Sequence, residues 1–120
     1  MIFVMHHYLD FRNALVRYLQ RSGFDAVGFE AGGAGVAAMR CQRPSLLILN
    51  GTLSDMGGIE LLRIVRADEA LADLPVCFMS CNDDKKPEAE VLGIAEYFLK
   101  PVDFKELLSV VKRTLCSSPV

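Results

Sequence analysis

Polar side chains directly follow several short apolar runs of the chain, and these are the residues whose types could do chemistry. They are His6, His7, Asn50, Ser80 and Lys100. An ammonium group beside a hydroxyl can hold an anion, whereas an imidazole can bind a transition metal or titrate at a pH of about 6.5. An amide is neither a carboxylate nucleophile nor a strong ligand for Mg²⁺. These positions therefore indicate binding rather than group transfer.

A metal site at His6 and His7 is disfavoured by the sequence. Neighbouring residues of a strand point to opposite faces of the sheet, and a structural zinc site needs four ligands. The chain has 2 histidines in all and no suitably spaced cysteines. We therefore predict no metal and no cofactor, and we expect one histidine to be an ordinary loop residue. A pH switch at the imidazoles stays open as an alternative.

The four cysteines stand at positions 41, 77, 81 and 116, without a C-x-x-C pair. If Cys77 and Cys81 lie on one strand, they are about 13 Å apart, which is too far for a disulfide. We therefore expect reduced core thiols in a cytoplasmic protein.

Length and composition predict one globular domain. The chain has 120 residues, of which 52% are hydrophobic, and a formal net charge of -2. We assign residues 1–116 to the domain and residues 117–120 to a tail or the start of a linker. No basic run or aromatic-interleaved basic stripe indicates nucleic acid as a partner of this domain. No segment is long and apolar enough to predict a membrane span or a signal peptide.

Apolar runs alternate with segments of helical period, and this alternation is typical of parallel βαβ units. We predict Asp10 as the N-cap of the first helix, a second helix with Ala34, Ala37, Ala38 and Cys41 inward, and a fourth helix at residues 83–92 that either starts after Pro87 or is kinked there. In such folds function gathers at the carboxyl ends of the strands. The five strands are predicted at residues 2–5, 25–29, 46–49, 76–79 and 95–99.

The chain resembles the receiver domains of bacterial two-component response regulators, from residue 2 to about residue 115. The resemblance rests on Ser80, on Tyr97 three residues before Lys100-Pro101, and on the loop at residues 53–58 that precedes Ile59-Glu60-Leu61-Leu62. It implies a doubly wound five-stranded parallel sheet, (βα)5, flavodoxin-like, of order 2-1-3-4-5. It also implies that Ser80 and Lys100 are phosphate-sensing positions and that Tyr97 is the switch aromatic.

Two departures from the family pattern affect its chemistry. The family places two adjacent acids after the first strand to hold Mg²⁺, where this chain has His6 and His7, and a phosphate-accepting aspartate after the third strand, where this chain has Asn50. The resemblance then implies a pseudo-receiver that lacks both the metal site and the phosphoacceptor. The interval between Ser80 and Tyr97 is also two residues shorter, which indicates an altered fourth helix.

Two classes of function follow. The first is phosphorylation-independent signalling, in which a protein partner or a second copy binds the face made by the fourth helix, the last strand and the fifth helix. The second is a sensor that holds a small ligand or an inorganic anion near Lys100, with Ser80 and an imidazole. Alternatively, Lys100 hydrogen-bonds Asn50 or a carbonyl group. An enzyme is not expected, because no nucleophile stands beside an ordered base.

Overall fold

The computed structural model describes residues 1–116, in which five strands alternate with five helices. The predicted tail at residues 117–120 lies outside the described residues. The strands are β1 (Ile2–Met5), β2 (Ala26–Phe29), β3 (Leu46–Asn50), β4 (Val76–Ser80) and β5 (Glu96–Leu99). The helices are α1 (Leu9–Arg21), α2 (Gly32–Cys41), α3 (Gly58–Ala67), α4 (Lys86–Leu92) and α5 (Phe104–Cys116).

The strands form one parallel sheet of order β2-β1-β3-β4-β5, so the predicted topology is confirmed. All five residues of β3 are buried, as expected for an unbroken apolar run in the middle of a parallel sheet. The strand register aligns Met5 with Leu49, Asn50 with Met79, and Ser80 with Leu99. The carboxyl ends of these strands therefore meet at one edge of the sheet.

Helices cover both faces of the sheet and bury two apolar clusters. On one face Leu15 and Leu19 of α1 pack with Leu107 and Val111 of α5. On the other face α2, α3 and α4 contribute side chains to a cluster that includes Phe78. The burial of these apolar residues supplies most of the free energy that holds the layers together.

Two helix starts differ from the predictions. α1 begins at Leu9 after Tyr8, and no side chain caps it, so the prediction of Asp10 as N-cap is wrong. Asp10 lies in the first turn instead, where its charge still favours the helix dipole. α4 is shorter than residues 83–92, and it begins at Lys86, one residue before Pro87 and not after it, because a proline in the first turn has no N–H group that the helix needs.

The inward face of α2 was also predicted wrongly. Ala34, Ala37 and Cys41 are not buried, whereas Val36 and Met39 are. These two larger side chains bury more apolar area than the alanines do, so they determine which face of α2 packs against the sheet. Gly32 and Gly35 share the buried face, and a side chain at residue 35 would collide with the Met5 side chain of β1.

The four cysteines are free, but the expectation that all are core thiols is wrong, because Cys77 is buried and the other three are exposed. Burial raises the pKa of the Cys77 thiol to about 12.

Candidate functional site

Five of the six predicted site residues line two adjoining cavities at the carboxyl edge of the sheet, and the sixth, Tyr97, lies outside both. We call the first, of about 290 Å³, the polar cleft; Asn50, Thr52, Ser80, Lys85 and Lys100 contribute to its walls. We call the second, of about 370 Å³, the aromatic shelf, and it is lined by His6, His7, Tyr8, Phe11, Cys81 and Lys100.

The Asn50 amide at the end of β3 is held in one orientation. Its Nδ2 donates to the carbonyl oxygen of Thr52 at 2.7 Å and lies 3.2 Å from Nδ1 of His7. Because a carbonyl oxygen can only accept, the nitrogen end of the amide must face Thr52. The Oδ1 atom is left buried, without a hydrogen-bond partner in residues 1–116. Asn50 is 1% exposed, so the orientation is fixed by contacts inside the protein.

His7 completes a small hydrogen-bonded triangle with these two groups. Its Nδ1 lies 3.1 Å from the Thr52 carbonyl oxygen as well as beside the Asn50 amide. When this nitrogen is unprotonated it can accept from Asn50, and when it is protonated it can donate to Thr52. The His7 side chain is exposed, so solvent reaches the ring in both of these states. The carbonyl group of Thr52 is therefore already occupied by donors of this chain.

His6 is a neutral core imidazole. The backbone N–H of Tyr8 donates to its Nδ1 at 3.0 Å, which leaves the proton of the neutral ring on Nε2. That Nε2 atom is buried, with no partner in the described chain. Burial, with the charges of Lys100, His7 and Arg12, lowers the pKa of His6 to about 4. His6 therefore carries no charge at neutral pH.

The two histidine rings do not point to opposite faces, so that part of the reasoning about a metal site is wrong. Both residues lie beyond the last residue of β1, and their rings stack with centroids 5.1 Å apart. The His6 ring also stacks on Phe11 at 4.5 Å. Throughout residues 1–116 no group of three or more His, Cys, Asp or Glu side chains could hold a metal ion.

Lys100 reaches the boundary between the two cavities and borders both. Its backbone N–H donates to the Ser80 carbonyl at 2.9 Å, which fixes where the side chain leaves the sheet. In the described part of the chain its ammonium group makes neither a hydrogen bond nor an ion pair, and so it does not contact Asn50 in the way we considered. Lys85 adds a second ammonium group to the polar cleft, and Asp84 adds one carboxylate.

Tyr97 connects the polar cleft to the edge strand. Its hydroxyl group donates to the carbonyl oxygen of Asn82 at 2.7 Å, and its ring stacks on Phe78 with centroids 5.4 Å apart. Asn82 belongs to the β4–α4 loop and also lines the polar cleft. A change in the conformation of the β4–α4 loop would therefore move the Asn82 carbonyl group, to which the Tyr97 hydroxyl group of β5 is hydrogen-bonded.

Two positioning contacts were missed by reasoning from sequence. Arg66 of α3 donates to four carbonyl groups, those of Ala72, Leu74, Leu92 and Gly93, and so ties α3 to the end of α4. Asp55 accepts from the backbone N–H groups of Gly32 and Gly33, which lowers the pKa of its carboxyl group. Arg66 and Asp55 are single charged residues, on a helix surface and in a loop, and they form no sequence motif from which these contacts could have been predicted.

The fold and the crevice together define a doubly wound α/β protein with its candidate site at the carboxyl edge of a 2-1-3-4-5 sheet. The chain belongs to the response regulator receiver domain family, whose sequence model matches residues 2–112. The resemblance to receiver domains is thereby confirmed.

Several curated proteins are similar to this chain. The transcriptional regulatory protein GltR of Pseudomonas aeruginosa is 31% identical over 108 residues, which are 88% of this chain and 45% of that protein. The protein PilH of the same species is 26% identical, over 84% of this chain and 85% of PilH. The chain spans a little under half the length of GltR and of the phosphate regulon regulator PhoB.

Solved structures agree with this assignment. A response regulator receiver protein from Pseudomonas putida superposes with a TM-score of 0.87 at 30% identity, over 93% of this chain and 94% of that one. The chemotaxis response regulator CheY4 of Vibrio cholerae has a TM-score of 0.86 at 20% identity, over 94% of this chain and 96% of that one, which shows the shared fold. The chain is thus a receiver domain of two-component signalling, a fold that typically serves as a non-enzymatic signalling module.

No helix among residues 1–116 has the length and apolar character needed to cross a membrane.

Proposed function

We propose that this receiver domain signals without phosphorylation, by binding a partner protein or a second copy of itself through the face formed by α4, β5 and α5. The observation that carries the proposal is the fixed amide at the end of β3. Asn50 offers the crevice no carboxylate nucleophile, and its nitrogen end is bonded to Thr52. A neutral amide held in this way cannot form an acyl phosphate.

The groups beside Asn50 support the same proposal. His6 is neutral and His7 has its Nδ1 directed at Asn50 and Thr52, so neither side chain supplies the anionic oxygen that Mg²⁺ prefers. Lys100 has no anionic partner in residues 1–116, so the crevice carries a positive charge where a cation would have to bind. Without a nucleophile and a metal, phosphoryl transfer to this site has no route.

The α4, β5 and α5 face has features of an interaction surface. It holds a groove of about 390 Å³ with Val102 and Val110 among its walls, lined also by one lysine, Lys86, and by four carboxylates, those of Asp83, Glu96, Asp103 and Glu106. Leu99 at the end of β5 is 49% exposed on this face. Apolar contacts bordered by carboxylates suit a partner segment that carries both apolar and basic side chains.

A crosslinking experiment tests this function. A photo-crosslinking amino acid replaces Leu99, and in a matched control it replaces Leu9 of α1, which is 55% exposed but does not line the groove of the α4, β5 and α5 face. We expect crosslinks from position 99 to a protein of the native lysate or to a second copy, and none from position 9. The yield should stay the same when Mg²⁺ and acetyl phosphate are added.

Equal crosslinking from positions 99 and 9, or crosslinking that requires the phosphodonor, would contradict the proposal.

A second candidate function is the sensing of a small anion in the polar cleft. The observation that favours it is the pair of ammonium groups, Lys85 and Lys100, on one cleft with the hydroxyl group of Ser80. An anion in the cleft would draw these donors together, and Asn82 would carry the change to Tyr97 through their hydrogen bond. Uptake of inorganic phosphate, measured by isothermal titration calorimetry, tests it; the absence of heat at millimolar phosphate would refute it.

A further inference from the structure

The polar cleft and the aromatic shelf are two parts of one crevice. Cys81 and Lys100 border both, so the two cavities adjoin at these two side chains. Each cavity alone is near the lower end of the size of ligand pockets, which is about 300 Å³, and a molecule that spans both would have a pocket of ordinary size. The two parts differ in chemistry, because one is lined by charged and polar groups and the other mainly by rings.

Each part contains a buried polar side chain with an unsatisfied atom. Asn50, which lines the cleft, has a buried Oδ1 acceptor without a partner in residues 1–116. His6, which lines the shelf and is 4% exposed, has a buried Nε2 donor without one. Buried polar atoms of this kind are rare, because leaving one unpaired costs about 1–3 kcal/mol. Because both atoms are buried, a ligand that supplies a donor on one side and an acceptor on the other would satisfy them after small shifts of the side chains that cover them.

The polar cleft suits a phosphate that carries a proton. Lys85, Lys100 and Ser80 are donors that suit the charged oxygens of an anion. The Asn50 Oδ1 acceptor repels a fully deprotonated oxyanion such as sulfate, but it can accept from a P–OH group. Asp84 on the same cleft is a further acceptor and reduces the positive excess by one charge. The cleft therefore favours a protonated phosphate group over sulfate.

The aromatic shelf suits a planar apolar group. His7 and Tyr8 are exposed, and Tyr8 is 57% exposed, so their rings are open to a ligand. Phe11 lies behind them, stacked on His6. Stacking of a nucleobase on an aromatic side chain is worth about 1–3 kcal/mol, and a ring nitrogen or oxygen at the shelf could accept from His6 Nε2 after a small side-chain adjustment.

We propose that this crevice binds an organic phosphomonoester with a planar ring, of the nucleoside monophosphate class, with its phosphate in the polar cleft and its ring on the aromatic shelf. The inference rests on the second candidate function, anion binding at Lys100. It assigns new binding roles to Lys85, to the Asn50 Oδ1 atom and to the rings of His7 and Tyr8. Through Asn82, the bound phosphate acts on Tyr97 and hence on the α4, β5 and α5 face.

The experiment is isothermal titration calorimetry on the whole chain, with adenosine monophosphate, adenosine, inorganic phosphate and sulfate as the probes, at pH 5.5, where a phosphomonoester with a second pKa of about 6 keeps one proton. We expect adenosine monophosphate to bind at least tenfold more tightly than phosphate or adenosine, because it occupies both parts of the crevice. Phosphate should bind more tightly than sulfate, because sulfate has no proton to give to Asn50.

Matched variants separate the two parts. Lys85→Gln should weaken both adenosine monophosphate and phosphate about fivefold, whereas Lys86→Gln, one residue further and outside the crevice, should leave both unchanged. Tyr8→Ala should weaken adenosine monophosphate about fivefold and leave phosphate unchanged. Leu9→Ala is its control, because Leu9 is as exposed as Tyr8 but does not line the shelf.

The outcomes distinguish a failure of nucleoside monophosphate binding from a failure of the anion-sensing function on which it rests. If phosphate binds as tightly as adenosine monophosphate, the shelf takes no ring and the inference is overturned while anion sensing stands. If sulfate binds as tightly as phosphate, Asn50 Oδ1 does not accept a hydrogen bond from the P–OH group, and the proposed class of ligand is wrong. If neither adenosine monophosphate nor inorganic phosphate binds, both the inference and the anion-sensing function are overturned.

Discussion

Replacement of Asn50 by aspartate should destabilise this domain rather than restore a working acceptor. The amide nitrogen lies 2.7 Å from the Thr52 carbonyl oxygen and 3.2 Å from His7 Nδ1. In Asn50→Asp a carboxylate oxygen takes the place of the nitrogen, so two oxygens that can only accept face each other. The side chain is almost fully buried, so solvent cannot screen this repulsion.

The expected loss of unfolding free energy is about 3 kcal/mol at pH 8. The lost hydrogen bond to the Thr52 carbonyl accounts for about 1 kcal/mol, and the carboxylate facing that carbonyl in a buried site adds about 2 kcal/mol. For a domain of this size the melting temperature should fall by roughly 10 °C. The matched control is Asn50→Leu, which loses the hydrogen bonds to both Thr52 and His7 without adding a charge and should cost about 1 kcal/mol less.

Urea denaturation of the three proteins, followed by circular dichroism at pH 8, measures these differences. Backbone amide shifts of residues 51–53 report whether the Thr52 carbonyl has turned away. If Asn50→Asp is as stable as the unchanged chain and these shifts do not move, the amide does not hold the loop and our account of Asn50 is refuted.

Four further predictions follow from the same contacts. His6 has a pKa of about 4 in the folded chain and about 6.5 in the unfolded chain, so the free energy of unfolding should be highest above pH 6.5 and fall by about 2–3 kcal/mol as the pH drops to 4. In paired urea titrations His6→Phe should remove this part of the pH dependence. Tyr97→Phe loses the bond to Asn82, so hydrogen exchange in residues 81–85 should quicken, at a cost of about 0.5–1 kcal/mol; unchanged exchange would refute the link. Arg66→Lys keeps the charge but loses most of four carbonyl contacts, and should cost about 2 kcal/mol by urea denaturation, whereas a cost near zero would show that those contacts are unimportant. Gly58→Ala should cost about 3 kcal/mol, because the added carbon would meet the Asn50 carbonyl; a melting temperature equal to that of the unchanged chain would show that α3 can shift freely.

The sequence predicted the sheet well because its strands are short apolar runs that are buried on both faces. The residues of β3 illustrate this, since a central parallel strand needs apolar side chains in both directions. The prediction of α2 failed for the opposite reason. Residues 32–38 are mostly glycine and alanine, which differ little in apolar area, so the pattern gave no clear inward face. The packing of Val36 and Met39 decided it instead.

The candidate site was predictable in position but not in detail. Because parallel strands end at one edge, residues that follow them, such as Asn50 and Ser80, had to lie close together. The stacking of His6 on His7, the contact of Asn50 with Thr52 and the presence of Lys85 on the cleft all depend on loop conformation. Loops carry no hydrophobic periodicity, so these contacts had no sequence signal.

The most direct test of phosphorylation-independent signalling is intact-mass spectrometry of fresh protein incubated with Mg²⁺ and acetyl phosphate, beside an untreated sample. Peptide mapping of residue 50 in the same samples confirms that it is still an amide. We predict no phosphoryl adduct, because Asn50 is not a nucleophile and no group of three or more acidic, histidine or cysteine side chains in residues 1–116 could hold Mg²⁺. A phosphoryl adduct on protein whose Asn50 is still an amide would contradict the proposed function.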